Sequence, residues 1–317
     1  MGKEARCSAS YINPPIDRVN LGDSQYDHEK NCAAAVAAAV FGGALSVPQS
    51  LQAQTLVFTA IPDQDESRLR TRFGKVATYL QKKLGVDVKY VPVKSYAAAV
   101  TAFRNDQVQL AWFGGLSGVR ARSLVKGSQA IAQGKEDVSF VTYFIAHAST
   151  KLGEQKNFPK AIAGKTFTFG SKGSTSGRLM PEFHIRQVFG KAPNKVFSRV
   201  GFSGDHSRTI ALVQSGAYEV GAVNFQVWEN EMKAGKIDKS KIKIVWRTPT
   251  YPDYQWTIRG DVDKRFGKGF ADKVRGSLLS MNDPTLLKAF PRSEFIPAKN
   301  SDYTPIENVG KSIGLID

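Results

Sequence analysis

Between Gly170 and Ile185 the chain reads GSKGSTSGRLMPEFHI, with three consecutive hydroxyl residues, Ser174, Thr175 and Ser176, directly ahead of an amphipathic helical pattern. One hydroxyl is enough to cap a helix start, because a single side-chain oxygen accepts from a free first-turn N–H. The other two exceed that need. The strand-like TFTFG precedes them, so the hydroxyls stand at a helix N-terminus on the carboxyl edge of a strand. Free N–H groups and the helix dipole attract an anion there, and the flanking glycines let the backbone wrap closely. The stretch is not a Walker loop: the Gly-Lys-Ser/Thr ending is missing and Lys172 precedes the hydroxyls. The competing reading is an ordinary loop with one capping serine.

The same arrangement recurs. VKSYAAAV places Ser95 and Tyr96 at a helix mouth after a strand, and GFSGDHSRTIALV does so with Ser203, Asp205, His206 and Ser207. Singly, Tyr96 reads as packing, Asp205 as an N-cap and His206 as a surface residue. Three such mouths together read as a site for an anion, and a ligand that accepts from His206 is expected to raise its pKa. Catalysis finds little support. The four histidines include no pair at metal-ligand spacing, and a triad drawn from Ser176, His206 and Asp253 lacks a G-x-S-x-G elbow. No metal or cofactor is implied.

Strands and helices must position these residues. From TLVFTAIP the chain alternates β-type runs with helical patterns, the first helix showing Leu69, Phe73, Val76, Ala77, Leu80 and Leu84 at helical spacing before Gly85. After DVSFVTYFIAHAS the alternation starts afresh through GKTFTFGS, a helix from Gly177 to Phe189, KVFSRVGF, YEVGAVNF and KIKIVWRT. Two α/β units imply two lobes, each a mostly parallel sheet flanked by helices, with a ligand cleft between them. The β runs near 138–148 and 244–258 are the expected crossings. Lobe 1 then comprises 55–145 and 249–317, and lobe 2 comprises 146–248, the polar tail packing back on lobe 1.

Residues 1–54 read as a leader. An apolar core from Ala33 to Val47, Pro48 and a small-residue ending suggest an export signal cleaved near Ala53, with a start codon called too early; the alternative is a buried helix. Cys7 and Cys32 both fall there, leaving no thiol afterwards. Of the 44 basic and 28 acidic residues, four and five lie in the leader, so 40 face 23 in the remainder. That excess favours anionic partners. Basic and acidic residues interleave without a nucleic-acid motif, so nucleic acid is not the expected partner.

These features together resemble the periplasmic phosphonate- and phosphite-binding proteins of ABC importers, over essentially Thr55 to Asp317. The likeness lies in LGVDVKYVPVKSYAAAVTAFRNDQVQLAWFGGLS, GSTSG and GFSGDHSRTIALVQSGAYEVGAVN. It implies a type II periplasmic binding protein, a monomer that closes on a small oxyanion and hands it to permease subunits. It further implies that Ser174, Thr175, Ser176, Tyr96 and His206 hold the phosphoryl oxygens, with a carboxylate at Asp253. Two positions depart from the pattern: Phe113 stands where tyrosine is common, and Gln226 where aminoalkyl-phosphonate binders have glutamate. Phosphite or methylphosphonate is therefore the expected ligand, with selenate, sulfate or phosphate as alternatives. An exported hydrolase or a basic scaffold protein are the readings of another class.

Overall fold

The computed structural model describes residues 54–316, so the leader, its cleavage point and both cysteines lie outside the described residues. β1 (Leu56–Ala60) feeds α1 (Glu66–Leu84), whose start is capped by Asp65 accepting from Ser67 and Arg68 N–H. Leu69, Phe73, Val76, Leu80 and Leu84 form its buried stripe, and Gly85 ends it at φ 71°, a conformation that suits glycine. Next come β2 (Val88–Tyr90), α2 (Tyr96–Arg104), β3 (Leu110–Phe113), α3 (Gly115–Leu124) and β4 (Gln129–Gly134). The chain crosses into β5 (Thr142–His147), β6 (Thr166–Phe169), α4 (Met180–Phe189), β7 (Arg199–Phe202), α5 (His206–Gln214), β8 (Val220–Asn224), α6 (Phe225–Lys233) and β9 (Ile242–Arg247). It returns through β10 (Gln255–Ile258), α7 (Val262–Phe266), α8 (Phe270–Leu279), α9 (Pro284–Ala289), β11 (Phe295–Pro297) and α10 (Thr304–Ser312).

Two sheets result, with strand orders β11-β4-β10-β3-β1-β2 and β7-β6-β8-β5-β9. Both are mixed, where strand–helix alternation suggests mostly parallel pairing. β2, β1 and β3 run parallel, as do β7, β6 and β8, whereas β10 and β5 run antiparallel to their neighbours. β5 and β10 enter their sheets from the other lobe, without a crossover helix, so nothing forces the parallel sense. β4 was not legible in the sequence, because SQAIAQG lacks both alternation and β-branched enrichment. The second sheet is buried on both faces, with Phe144, Ala146, Phe167 and Trp246 on one and Tyr143, Ile145, Val223 and Ile242 on the other.

The crossings are paired. Phe140 and Tyr251 exchange both backbone hydrogen bonds, at 2.9 and 3.0 Å. The first change of sheet therefore precedes Thr142, and the expected boundary at 145/146 falls inside β5. The tail returns to the first lobe: β11 extends its sheet beside β4, and α10 lies on α3.

A buried ion pair anchors this corner. Arg292 donates through Nε and Nη2 to both Asp137 oxygens at 2.7 Å, and Asp137 O accepts from Asp253 N–H at 3.0 Å, which fixes the start of the return crossing. Removing one member of such a pair leaves an uncompensated buried charge. Arg292→Met is expected to destabilise the protein by about 3–5 kcal/mol in urea unfolding; a loss below about 1 kcal/mol would show that the pair is not an anchor.

Candidate functional site

The hydroxyl loop does not enter an α-helix directly. Thr175–Leu179 forms a π-helical turn ahead of α4, a correction to the helix expected from Gly177. Pro181 explains it. Without an N–H, Pro181 cannot bond the Gly177 carbonyl four residues back, and Gly170 N–H takes that carbonyl at 2.8 Å instead. Leu179 N–H reaches back five residues to Ser174 O at 3.0 Å. Ser174 Oγ caps the turn by accepting from Gly177 N–H at 2.9 Å, and Ser176 O accepts from Thr142 Oγ1 at 2.9 Å. The loop is thus tied at every side, with all three hydroxyl residues buried. Its glycines are close-packed: a Cβ on Gly177 would stand 3.0 Å from both the His206 ring and Ser174 Oγ.

The first lobe presents the N-terminus of α3, whose Gly114 offers no side-chain cap. Side chains from elsewhere supply it. Gly115 N–H donates to Asp253 Oδ1 at 2.8 Å, and Leu116 N–H donates across the cleft to Thr175 Oγ1 at 3.0 Å. Asp253 Oδ2 is buried without a hydrogen-bond partner, and so is Tyr96 Oη. Ser174 lies near enough to the Tyr96 phenol to favour its ionised form, yet no hydrogen bond of proper geometry joins them. Burial holds that phenol well above its ordinary pKa, so it is a neutral donor. Burial also pushes Asp253 up to about 7, against the opposing Gly115 N–H bond and the nearby Thr175 hydroxyl, which makes no hydrogen bond of proper geometry to it. A Cβ on Gly173 would meet the Tyr96 Cβ at 3.0 Å, so the loop and α2 meet in a tight seam.

His206 starts α5, with Asp205 capping that helix by accepting from Arg208 N–H at 2.8 Å. Its Nδ1 accepts from Asn224 N–H at 3.2 Å. The ring proton of the neutral form therefore sits on Nε2, which stands 3.4 Å from Ser176 Oγ. Burial lowers the imidazole to about 4. A proton on Nδ1 would face the Asn224 N–H, so this geometry favours the neutral ring. His206 is a neutral Nε2–H donor.

Tyr96, Ser174, Thr175, Ser176, His206 and Asp253 are brought together. Phe113 and Gln226 are not part of this cluster. Phe113 points into the first-lobe core, edge-on to Phe103 at 5.6 Å. Gln226 Nε2 donates to Pro291 O at 3.3 Å beside a cavity of about 10 Å³ that Arg72, Asn224 and Arg292 also line. Sequence reasoning missed Asp63, Asn224 and Tyr254, which join the lobes behind the hydroxyl loop. The acidic residue in AIPDQDE, directly after β1, was the only available signal.

A buried cluster of neutral hydroxyls, one neutral imidazole and one near-neutral carboxyl can bind an oxyanion without chemistry on it. The sequence profile of the periplasmic substrate-binding proteins of phosphonate ABC transporters matches residues 58–303. The chain belongs to that family. Its members are substrate-binding components, not enzymes. This phosphonate-binding family member is 39% identical over 288 residues to a probable ABC transporter phosphite-binding protein of Prochlorococcus marinus, covering 89% of this chain and 97% of the relative. It is 27% identical over 209 residues to the phosphonates-binding periplasmic protein of Escherichia coli, with 63% and 60% coverage. The structure of the Prochlorococcus protein in complex with methylphosphonate matches with a TM-score of 0.79 and 41% identity, over 83% of this chain and 99% of that one.

Thr175 carries the contact between the loop and α3. Thr175→Ala removes that acceptor and would take one donor from a charged ligand held at the loop, a bond worth about 1.5–3 kcal/mol. Oxyanion affinity should fall by about ten- to a hundred-fold in calorimetric titration, with little change in the melting temperature of the ligand-free protein. Unchanged affinity would return the loop to helix capping alone.

Proposed function

We propose that this protein is exported, with its leader cleaved near Ala53, and works as a monomer that captures phosphite or methylphosphonate and delivers it to ABC permease subunits. The moving parts are the lobe ending before Thr142 and resuming after Arg247, and the lobe between them, which rotate about the paired strands at Phe140 and Tyr251. Ser174, Thr175, Ser176, Tyr96 and His206 Nε2–H donate to the anion. No Lys or Arg need touch it. Neutral donors leave the oxyanion exchangeable on reopening, whereas a desolvated cation would hold it firmly.

The observation that carries the reading is Asp253 Oδ2, buried and unpartnered beside the hydroxyl loop. A carboxylate facing an oxyanion repels it unless the two share a proton. Burial raises Asp253 from the ordinary carboxylate range to about 7, so between about pH 4 and 7 this buried carboxyl favours a proton that a solvated one has lost. Phosphite and phosphonates bring an acidic O–H near neutral pH. Sulfate and selenate do not, and must draw that proton from solvent. The similarity to the phosphite-binding relative supports the same ligand class. Gln226 lies outside the cluster, on Pro291 O, so the preference for a small ligand over an aminoalkyl one rests on the similarity to that relative.

Competition calorimetry at pH 7.5 with phosphite, methylphosphonate, 2-aminoethylphosphonate and selenate tests this. Phosphite and methylphosphonate should bind tightest, and Asp253→Asn should narrow their lead over selenate by about ten-fold, the value of one pKa unit. Selenate winning in the wild type, or an unmoved ranking in Asp253→Asn, would overturn it.

A further inference from the structure

Behind the oxyanion cluster, two residues from each lobe close a ring. His206 N–H donates to Asp63 O at 2.9 Å, Tyr254 Oη donates to Asp63 Oδ2 at 2.8 Å, Asn224 Nδ2 donates to Tyr254 Oη at 2.9 Å, and Asn224 N–H donates to His206 Nδ1 at 3.2 Å. All four residues are buried. Asn224 is doubly committed, because its Oδ1 caps α6 by accepting from Gln226 and Val227 N–H at 2.7 and 3.2 Å. Tyr254 is held from the first-lobe side, stacked on Trp112 at 5.5 Å with the Arg292 guanidinium 5.3 Å from its ring centre.

The phenol of Tyr254 has one proton, and Asp63 takes it. Tyr254 therefore has no donor left for an anion. Of the ring's bonds, those to Asp63 O and to Tyr254 Oη cross between lobes, and the Asn224 bond to His206 Nδ1 lies within the second lobe. The cross-lobe pair ties the two lobes together. It grips the first residue of α5 by its backbone and steadies the residue whose N–H fixes the His206 tautomer.

We propose that Tyr254 and Asp63 are positioning residues, which clamp the closed cleft and aim His206 Nε2–H without touching the ligand. This rests on the solute-binding reading above. Since the clamp lies outside the anion's contacts, its loss costs every bound oxyanion the same factor and leaves their ranking alone. It differs in this from the hydroxyl loop and Asp253, whose changes act on the ligand itself.

The test is Tyr254→Phe, which keeps the stacked ring and removes the hydroxyl, with Asp63→Ala and Asp63→Asn beside it. Phosphite and methylphosphonate are titrated into each, with dissociation followed by stopped flow and His206 by ¹⁵N NMR in the methylphosphonate complex. Tyr254→Phe and Asp63→Ala should weaken both ligands equally, about ten- to a hundred-fold and mainly through faster release. Asp63→Asn keeps an acceptor for Tyr254 and should restore most of the affinity. The wild-type complex should show one sharp Nε2–H imidazole, and Tyr254→Phe an exchange-broadened one. Equal affinity in Tyr254→Phe, a change confined to one ligand, or a ligand-free melting temperature that falls in step with affinity would each overturn the clamp. Failure of the wild type to bind either phosphorus ligand would instead overturn the proposed function.

Discussion

An oxyanion taken out of water loses hydration worth many kcal/mol, and a protein repays it only by aiming a full set of donors at it. That requirement shapes the inner face of both lobes. The second lobe supplies hydroxyls and an imidazole, and the first supplies a phenol and a carboxyl. On the proposed reading neither half encloses the anion alone, so closure and binding are one event. The helix starts at α3 and at the π-helical turn have N–H groups without intrahelical partners. At α3 two of these are satisfied, one by Asp253 of the same lobe and one by Thr175 of the other, so the second lobe completes a helix start of the first.

Choosing neutral donors has a consequence for charge. Residues 55–317 carry many more basic than acidic residues, yet no ion pair between a Lys or Arg and Asp253 is present among the described residues. Attraction at long range and grip at short range are therefore separate. On the proposed reading, surface charge gathers anions, and the buried cluster discriminates among them by hydrogen-bond count and by the proton on Asp253. Burial sets that proton, lifting Asp253 while lowering His206, so both groups enter the closed cleft near their uncharged forms.

Local rules made much of this readable. The stripe through Leu69, Phe73, Val76, Leu80 and Leu84 and the Gly85 stop define α1 from sequence, and the surplus of hydroxyls at Ser174–Ser176 marked the buried loop that meets α3. Long-range features were not readable. The π-helical turn depends on Gly170 N–H taking a carbonyl that Pro181 leaves free, a contact visible only in the fold. β4 has no alternation to announce it and is a strand because β10 and β11 flank it. Phe113 and Gln226 were placed by resemblance at the ligand; the pleat turns Phe113 into the core, and the Gln226 amide donates to Pro291 O. Asp63 and Tyr254 are 191 residues apart, and no local pattern links them.

The central claim is that one cleft closes on an oxyanion with donors from both lobes. Small-angle X-ray scattering of the leader-free protein, with and without saturating methylphosphonate, measures that directly. The account predicts a smaller radius of gyration with ligand, and no compaction on addition of sodium chloride at equal ionic strength. An identical scattering profile at a methylphosphonate concentration that calorimetry shows to be saturating would contradict it.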